Sequence, residues 1–474
     1  MSVEALIRFN LSLRLEDIPD DVRSETQRMF LDYMGCIVAA RASEMEPIVA
    51  GTVAVLGGAS APGSRAYGYA RLGDALDLSE GYNGAHFGVG PVAAALALAA
   101  ISRASGAELL TAIAAGYETG ARVMDAIGPY FTEIEGKPQY APIWSVSAPV
   151  VYAAVATASK LLKLDASSSA EAYAIAGASM PIPTGGVWGR MPNSPNTKFC
   201  DVGWCTLAGV MAAVSAAAGS TGLTSLTEDD WGLFRILCAE HAKPKYLSES
   251  LGSSWRIRRI VYKDWPCCGL NIGPMKNMLA LTSQLPVALE RTERIVAEIG
   301  LAGLSPNAVN QTPATFAARQ FSIPHTMAML AFGIPPGAQW GSQELSDHPR
   351  IAAFRRKIEV VEHRQPWPSQ DARTNPQRSV RNKPSAVRAW VSGKQYVCET
   401  LMENGGAVQH VLQPQWDDEW VAAKVSNLVE SRSARVLTDR ALDMTAQQSA
   451  LSLVAALENA RPIQQALSLP LESR

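Results

Sequence analysis

The sequence predicts a mainly α protein: a large all-helical domain with a smaller α+β lid domain inserted into it. Three observations carry this. Helical periodicity runs through the first 260 residues, short β-type runs take over after about Lys263, and helical periodicity returns from Trp416. The 474 residues divide accordingly into 1–262 and 405–474 for the helical domain and 263–404 for the lid. At roughly 100–200 residues per domain, that length suits more than one hydrophobic core.

The first long helix is predicted over Asp20–Ala40, from acidic residues at its start and apolar spacing through Val22, Met29, Phe30, Tyr33 and Met34. Pro91–Ser102, Ala107–Met124, Ala148–Leu162, Ser168–Ser179 and Gly203–Ala218 follow in the same style. Gly- and Pro-rich loops are expected between them, at GASAPGSR (58–65) and MPIPTGGVWGRMPNSPNTK (180–198). A loop as long as the second is more often functional than incidental. In the lid, Arg294–Gly300, Lys357–His363, Ala386–Val391 and Gln395–Thr400 alternate and carry β-branched residues, as strands do. Helices are expected between them at Cys268–Leu285 and Ile323–Phe332, and after them in VAAKVSNLVE and ALSLVAALENA.

Composition excludes several classes of function. Charged residues make up 18 %, and 42 Lys+Arg against 44 Asp+Glu leave a net charge of −2. Hydrophobic residues reach 47 % with only 7 % aromatics, so the apolar content is aliphatic. A disordered chain needs the opposite balance, and a nucleic-acid binder a basic excess. Val202–Thr227 holds no charged residue and is long enough to span a bilayer. It is rich in Ala, Gly, Ser and Thr and is broken at Gly219 and Gly222, which points to a protein core or a subunit interface. No membrane span is expected. The seven cysteines form neither a paired scaffold nor a zinc pattern, and the first residues lack a secretory signal, so a cytoplasmic setting is the expectation.

Six histidines are few enough to weigh singly. His86 closes DALDLSEGYNGAH, after Asp77 and Glu80 and just before an apolar helix. An acid and an imidazole beside a helix N-terminus suit anion binding and proton transfer; a capping loop with a locally bonded histidine fits the same spacing. Lys198 ends the 180–198 loop and Lys263 opens KDWPCCGLN. Lysines beside apolar sequence can pair with a substrate carboxylate or move protons, and equally can be solvated surface. His325, in FSIPHTMAML, reads as a satisfied core histidine, and His241, His348, His363 and His410 read as surface. Cys267 and Cys268 read as small buried hydrophobes in a turn. There is no dinucleotide fingerprint, P-loop, H-E-x-x-H or G-x-S-x-G.

The order of these pieces resembles the MmgE/PrpD family, which includes 2-methylcitrate dehydratase, cis-aconitate decarboxylase and iminodisuccinate epimerase. The segments that carry the resemblance are LDYMGCIVAA (31–40), DALDLSEGYNGAH (74–86), SGAELLTAIAAGYETGARV (105–123), ASKLLKLD (158–165), KFCDVGWCTLAGVMAA (198–213), KDWPCCGLN (263–271) and RQFSIPHTMAML (319–330). The resemblance implies a homodimer with its active site between helical domain and lid, working without metal or organic cofactor. It implies that a proton next to a carboxylate on a small substrate is removed or relocated, after which water or carbon dioxide leaves or the centre is reprotonated. His86 would be the acid/base, Asp77 its acidic neighbour, and Lys198 and Lys263 would bind carboxylate and stabilise developing enolate charge. The implied substrate-binding surface adds Asn83, Trp144, Arg190 and Cys268.

This chain departs from the family pattern in places. Trp144 stands where relatives often carry histidine, Asp201 replaces the histidine of a K-x-x-H motif, and His325 replaces a tyrosine. Glu80 is the second acid of the usual Asp-Asp pair. The losses remove proton donors and positive charge, so the standard methylcitrate or aconitate is not the expected substrate. His325 is the expected compensating acid/base.

Overall fold

Several helices start where the sequence offers their free backbone N–H groups a side-chain acceptor. Ser105 and Glu108 form a reciprocal capping box ahead of Gly106–Ile127 (Ser105 N to Glu108 Oε2 2.8 Å, Glu108 N to Ser105 Oγ 3.2 Å). Asp165, Asp201, Asp417 and Ser449 cap Ala166–Ala178, Val202–Ala217, Asp418–Ser426 and Ala450–Asn459 through a side-chain oxygen that accepts from a first-turn N–H. The computed structural model describes residues 2–82, 84–127, 131–134, 137–140, 147–182, 184–188, 190–227, 232, 237, 242–300, 304–365, 384–401 and 416–464.

The predicted helices appear within a few residues of their expected ends, at Asp20–Ala40, Val89–Ser102, Gly106–Ile127, Ser147–Leu161, Ala166–Ala178 and Val202–Ala217. The GASAPGSR segment differs from its loop reading, because Pro62 opens a helix, Pro62–Ala75. Proline is well tolerated in a first helical turn, where its missing N–H costs nothing. Helices Ser2–Ser12 and Met45–Val55 and the strands β1 (Phe131–Ile134) and β2 (Lys137–Tyr140), an antiparallel pair, are further elements that the sequence patterns do not announce.

Small residues let the central helices approach backbone to backbone. A Cβ on Gly90 would meet Val150 O at 2.6 Å, and one on Gly209 would meet Val151 O at 2.5 Å. The aliphatic, aromatic-poor composition therefore becomes a tight bundle around Ser147–Leu161. Among the described residues, no helix is long and apolar enough to cross a membrane. The charge-poor 202–227 stretch contributes a helix of 16 residues whose inner face is buried.

Two hydrophobic cores form. The larger joins Met29, Phe30, Leu96, Ile113 and Val155 to Val421, Val425, Leu437, Leu453 and Leu457, so the C-terminal helices lie against those of the first half. The smaller joins Cys267, Ile272, Met275, Met327, Phe354 and Ile358 to a sheet. That sheet contains β3 (Arg294–Ile299), β4 (Ile358–Glu362), β5 (Ser385–Val391) and β6 (Lys394–Thr400) in the order β4-β3-β5-β6. β3 and β4 run parallel, and the other pairs are antiparallel. Ser392 and Gly393, both at positive φ, make the tight turn between β5 and β6.

Candidate active site

The helix Pro62–Ala75 ends just before Asp77, whose φ of 52° turns the chain sharply; Lys198, with φ of 55°, makes a similar turn at the end of the 180–198 loop. Left-handed backbone at a lysine costs on the order of 1–3 kcal/mol and persists only where surrounding contacts enforce it. Those contacts converge on Asp77. Gly81 N donates to Val261 O at 2.7 Å and Val261 N to Gly81 O at 3.0 Å, which carries Lys263, two residues on, against the loop. Tyr82 and Ala85 exchange backbone hydrogen bonds of 2.9 Å, folding His86 back over Glu80. Behind them, Tyr82 and Arg259 both donate to buried Asp125.

The lysines are fully engaged. Lys198 Nζ donates to Asp74 O (2.7 Å) and Asp77 Oδ1 (3.0 Å), and lies 3.1 Å from Asp74 Oδ2. Lys263 Nζ donates to Asp77 O (2.8 Å), Asp77 Oδ2 (3.0 Å) and His86 Nε2 (3.3 Å). An ammonium has three N–H groups, so each lysine uses all of its donors inside the cluster. His86 Nδ1 faces the backbone carbonyl of Glu80. A carbonyl only accepts, so Nδ1 carries the proton and Nε2 presents its lone pair.

Asp77, Lys198, Lys263 and Glu80 are buried, whereas His86 is partly exposed. Burial lowers the His86 pKa to about 4, and the neighbouring Lys263 ammonium adds to this. The imidazole is therefore neutral at neutral pH. Burial opposes charge on Asp77, but Lys198, Lys263 and His86 together outweigh it and hold its carboxyl far below the usual range. Glu80 moves the other way: burial pushes it up to about 8, although Gly88 N and Tyr33 Oη donate to it at 2.8 and 3.0 Å. Gly88 must lack a side chain, because a Cβ there would lie 2.7 Å from Glu80 Oε1.

The structure thus brings together Asp77, His86, Lys198 and Lys263, four of the residues singled out from sequence. Cys268 lies near them, its thiol pushed up to about 12 by burial, with Asp77 adding to the effect. His325 does not join them. It is buried beside the smaller core, with Nε2 donating to Trp340 O at 2.8 Å and Nδ1 accepting from Arg355 at 3.1 Å. Both nitrogens are committed, which removes the expected compensating role. Arg190 is exposed on its loop. Asn83 and Trp144 lie outside the described residues, as do His241 and His410. His363 corrects its surface reading: it is buried, with Nε2 against Glu399 at 3.1 Å.

Sequence reasoning missed several supporting groups. Asp74 could have been found, since it lies one helical turn before Asp77. Tyr33 and Lys424 had no such signal. Lys424 enters from the helix Asp418–Ser426, pairs with Asp32, and donates to Leu78 O at 2.9 Å inside the acidic loop. Asp201 caps Val202–Ala217 and pairs with Arg71 Nε at 3.2 Å, so it fixes the chain just after Lys198 to the helix that carries Asp74. Among the described residues, no group of three or more His, Cys, Asp or Glu side chains could hold a metal ion.

Two family profiles match the chain. The MmgE/PrpD N-terminal domain profile matches residues 4–245, and the MmgE/PrpD C-terminal domain profile matches residues 265–443. No curated protein matches the chain.

Proposed function

The chain belongs to the MmgE/PrpD family, and we propose that it is a cofactor-independent lyase that removes a proton next to the carboxylate of a small substrate. Membership points to an enzyme of the dehydratase or lyase type. The observation that carries the finer reading is His86: a neutral imidazole with its tautomer fixed, its lone pair on Nε2, partly exposed above a buried charged cluster.

The chemistry follows from the contacts. Of the Lys263 hydrogen bonds, the one to His86 is the longest at 3.3 Å, and it is the one an arriving carboxylate displaces. That exchange frees the Nε2 lone pair and turns an ammonium N–H onto the carboxylate. Nε2 then takes the neighbouring C–H proton, and the electron pair moves onto the carboxylate, where Lys263 stabilises the enolate-like charge. The pair returns to form the alkene as a β-hydroxyl leaves with the proton from His86, giving water. The decarboxylase variant runs in another order: the bond to a carboxylate breaks first, carbon dioxide leaves, the electron pair left behind is delocalised onto a neighbouring carboxylate held by Lys263, and an ammonium N–H then protonates the product carbon.

An elimination needs one base, which supports a lyase over an epimerase. Epimerisation needs a second proton donor on the opposite face of the carbon, and His325, the sequence candidate, has both nitrogens occupied. The expected homodimer is part of the same proposal. Trp204 and Met211 are 43 % and 42 % exposed on the otherwise apolar helix Val202–Ala217, and light scattering at micromolar concentration checks it.

Proton NMR of the protein with a panel of carboxylates in deuterated water tests the function. A new alkene signal is expected, and His86→Gln should abolish it. Deuterium uptake without elimination would replace the lyase by an epimerase. No change with any compound would favour a metabolite-binding protein.

A further inference from the structure

His86 and Lys263 reach the site on two separate arms of the chain, residues 81–86 and 256–263, and one buried carboxyl group holds both. Asp125 lies near the end of helix Gly106–Ile127 and is buried. From the first arm, Tyr82 Oη donates to it, 3.0 Å from either oxygen. From the second, Arg256 Nε donates to Oδ2 at 3.1 Å, and Arg259 Nη2 lies 2.9 and 2.7 Å from Oδ1 and Oδ2. The Arg259 guanidinium also sits over the Tyr82 ring, 4.7 Å from its centre, so the arms meet each other as well as the carboxyl. Burial pushes Asp125 up to about 7 against the pull of Arg256, so at pH 8 it is a carboxylate.

Little chain separates this anchor from the chemistry. Tyr82 and Ala85 exchange backbone hydrogen bonds, and His86 is the next residue. Arg259 precedes Lys263 by four residues, and Gly81 and Val261 exchange hydrogen bonds between the arms on the way. Such short, tied connections pass a displacement at the anchor on to both side chains. The contact they govern is the 3.3 Å between Lys263 Nζ and His86 Nε2, while His86 Nδ1 has to stay on Glu80 O. A carboxylate that only neutralised Arg256 and Arg259 would have no need of Tyr82. That residue is fully buried, its ring edge-on to Phe87 and Tyr117. Packing therefore holds the ring, and the hydroxyl ties the loop to Asp125.

We infer that Asp125 is a positioning residue that fixes how His86 and Lys263 face each other, by holding Tyr82 of one arm and Arg259 of the other on a single carboxylate. The inference rests on the proposed roles of His86 and Lys263 and adds the group that aligns them. Asp125 acts through these two side chains and takes no proton from the substrate. With the anchor in place, His86 keeps one tautomer and its Nε2 stays within reach of the Lys263 N–H.

Histidine nitrogen shifts, read by NMR on the isotope-labelled whole protein at pH 8, test the alignment without any turnover. Native His86 should show a single tautomer, protonated on Nδ1, and the signal lost in His86→Gln assigns it. Asp125→Asn puts N–H groups where Tyr82 and the arginines donate, and should turn His86 into a mixture of tautomers. In the same variant kcat should fall by about tenfold to a hundredfold with KM within about threefold, as a small misplacement of a base dictates. Tyr82→Phe keeps the packed ring and should show the same changes in smaller measure. His325→Leu, which loses stability elsewhere, should leave the His86 signal native. An unchanged His86 signal in folded Asp125→Asn overturns the inference, as does a native His86 of mixed tautomers. If Asp125→Asn fails to fold, Tyr82→Phe decides by the same reading. The tautomer change without turnover of any carboxylate by the native protein upholds the positioning role and sinks the lyase reading. Native kcat in Asp125→Asn does the reverse.

Discussion

His86 and His325 make an instructive pair. Both are held neutral by burial, at about 4 and about 3, and each has one ring nitrogen on a backbone carbonyl and the other facing a cation. The difference lies in surroundings. His86 is partly exposed, and its cation, Lys263, can transfer its N–H to a ligand. His325 is sealed beside the smaller core between Trp340 and Arg355, and Arg355 also donates to Ser346 Oγ at 2.8 Å. A depressed histidine pKa therefore identifies burial; access and an exchangeable partner distinguish a base from a structural strut.

The sharpest way to break the comparison is to remove each ring in turn. His86→Gln should lower the exchange rate by about 10²–10⁴-fold, the usual worth of a general base, while His325→Gln leaves the rate of the folded protein essentially unchanged. Equal losses in both would erase the distinction. Asp77→Asn comes next in size. It strips a carboxylate from two buried ammoniums, so a stability loss of about 3–5 kcal/mol is expected in urea unfolding. A negligible loss would mean that the lysines find other partners.

His325→Leu should cost about 1–3 kcal/mol, since it leaves the Trp340 carbonyl and an Arg355 N–H without their partner. The same variant should lose part of its acid sensitivity. A histidine whose folded pKa is depressed contributes stability that is present above its ordinary 6.5 and lost as pH falls toward the folded value of about 3. Unfolding followed from pH 7 to pH 3 reads that window. The smallest effect concerns the pH profile. The acid limb of exchange should fall near pH 4 in the native protein. Lys263→Met removes the ammonium that disfavours the imidazolium, so the limb should move up toward 6.5. No movement would mean that burial alone sets the His86 pKa.

Much of this is legible in the sequence because it is local. Helix spacing, capping residues and β-branched runs are read within a few turns, and the motif residues Asp77, His86, Lys198 and Lys263 stand out in short segments. Pro62–Ala75 escapes such a reading because its small, glycine-containing sequence lacks a strong apolar stripe; packing between Met45–Val55 and Val202–Ala217 makes it a helix. His363 reads as surface because its neighbours in sequence are polar, whereas its neighbours in space include Glu399 from β6.

Reading the chain alone suffices for the mainly α fold, the family, and the identity of the four residues that meet. Only the tertiary structure decided what they do to one another. That Lys198 and Lys263 are neutralised by Asp74 and Asp77, that Glu80 O fixes the His86 tautomer, and that His325 is locked away are matters of distance between residues far apart in the chain. Charge, tautomer and pKa depend on what lies within a few ångströms in space, and the one-dimensional order of residues does not encode that proximity directly.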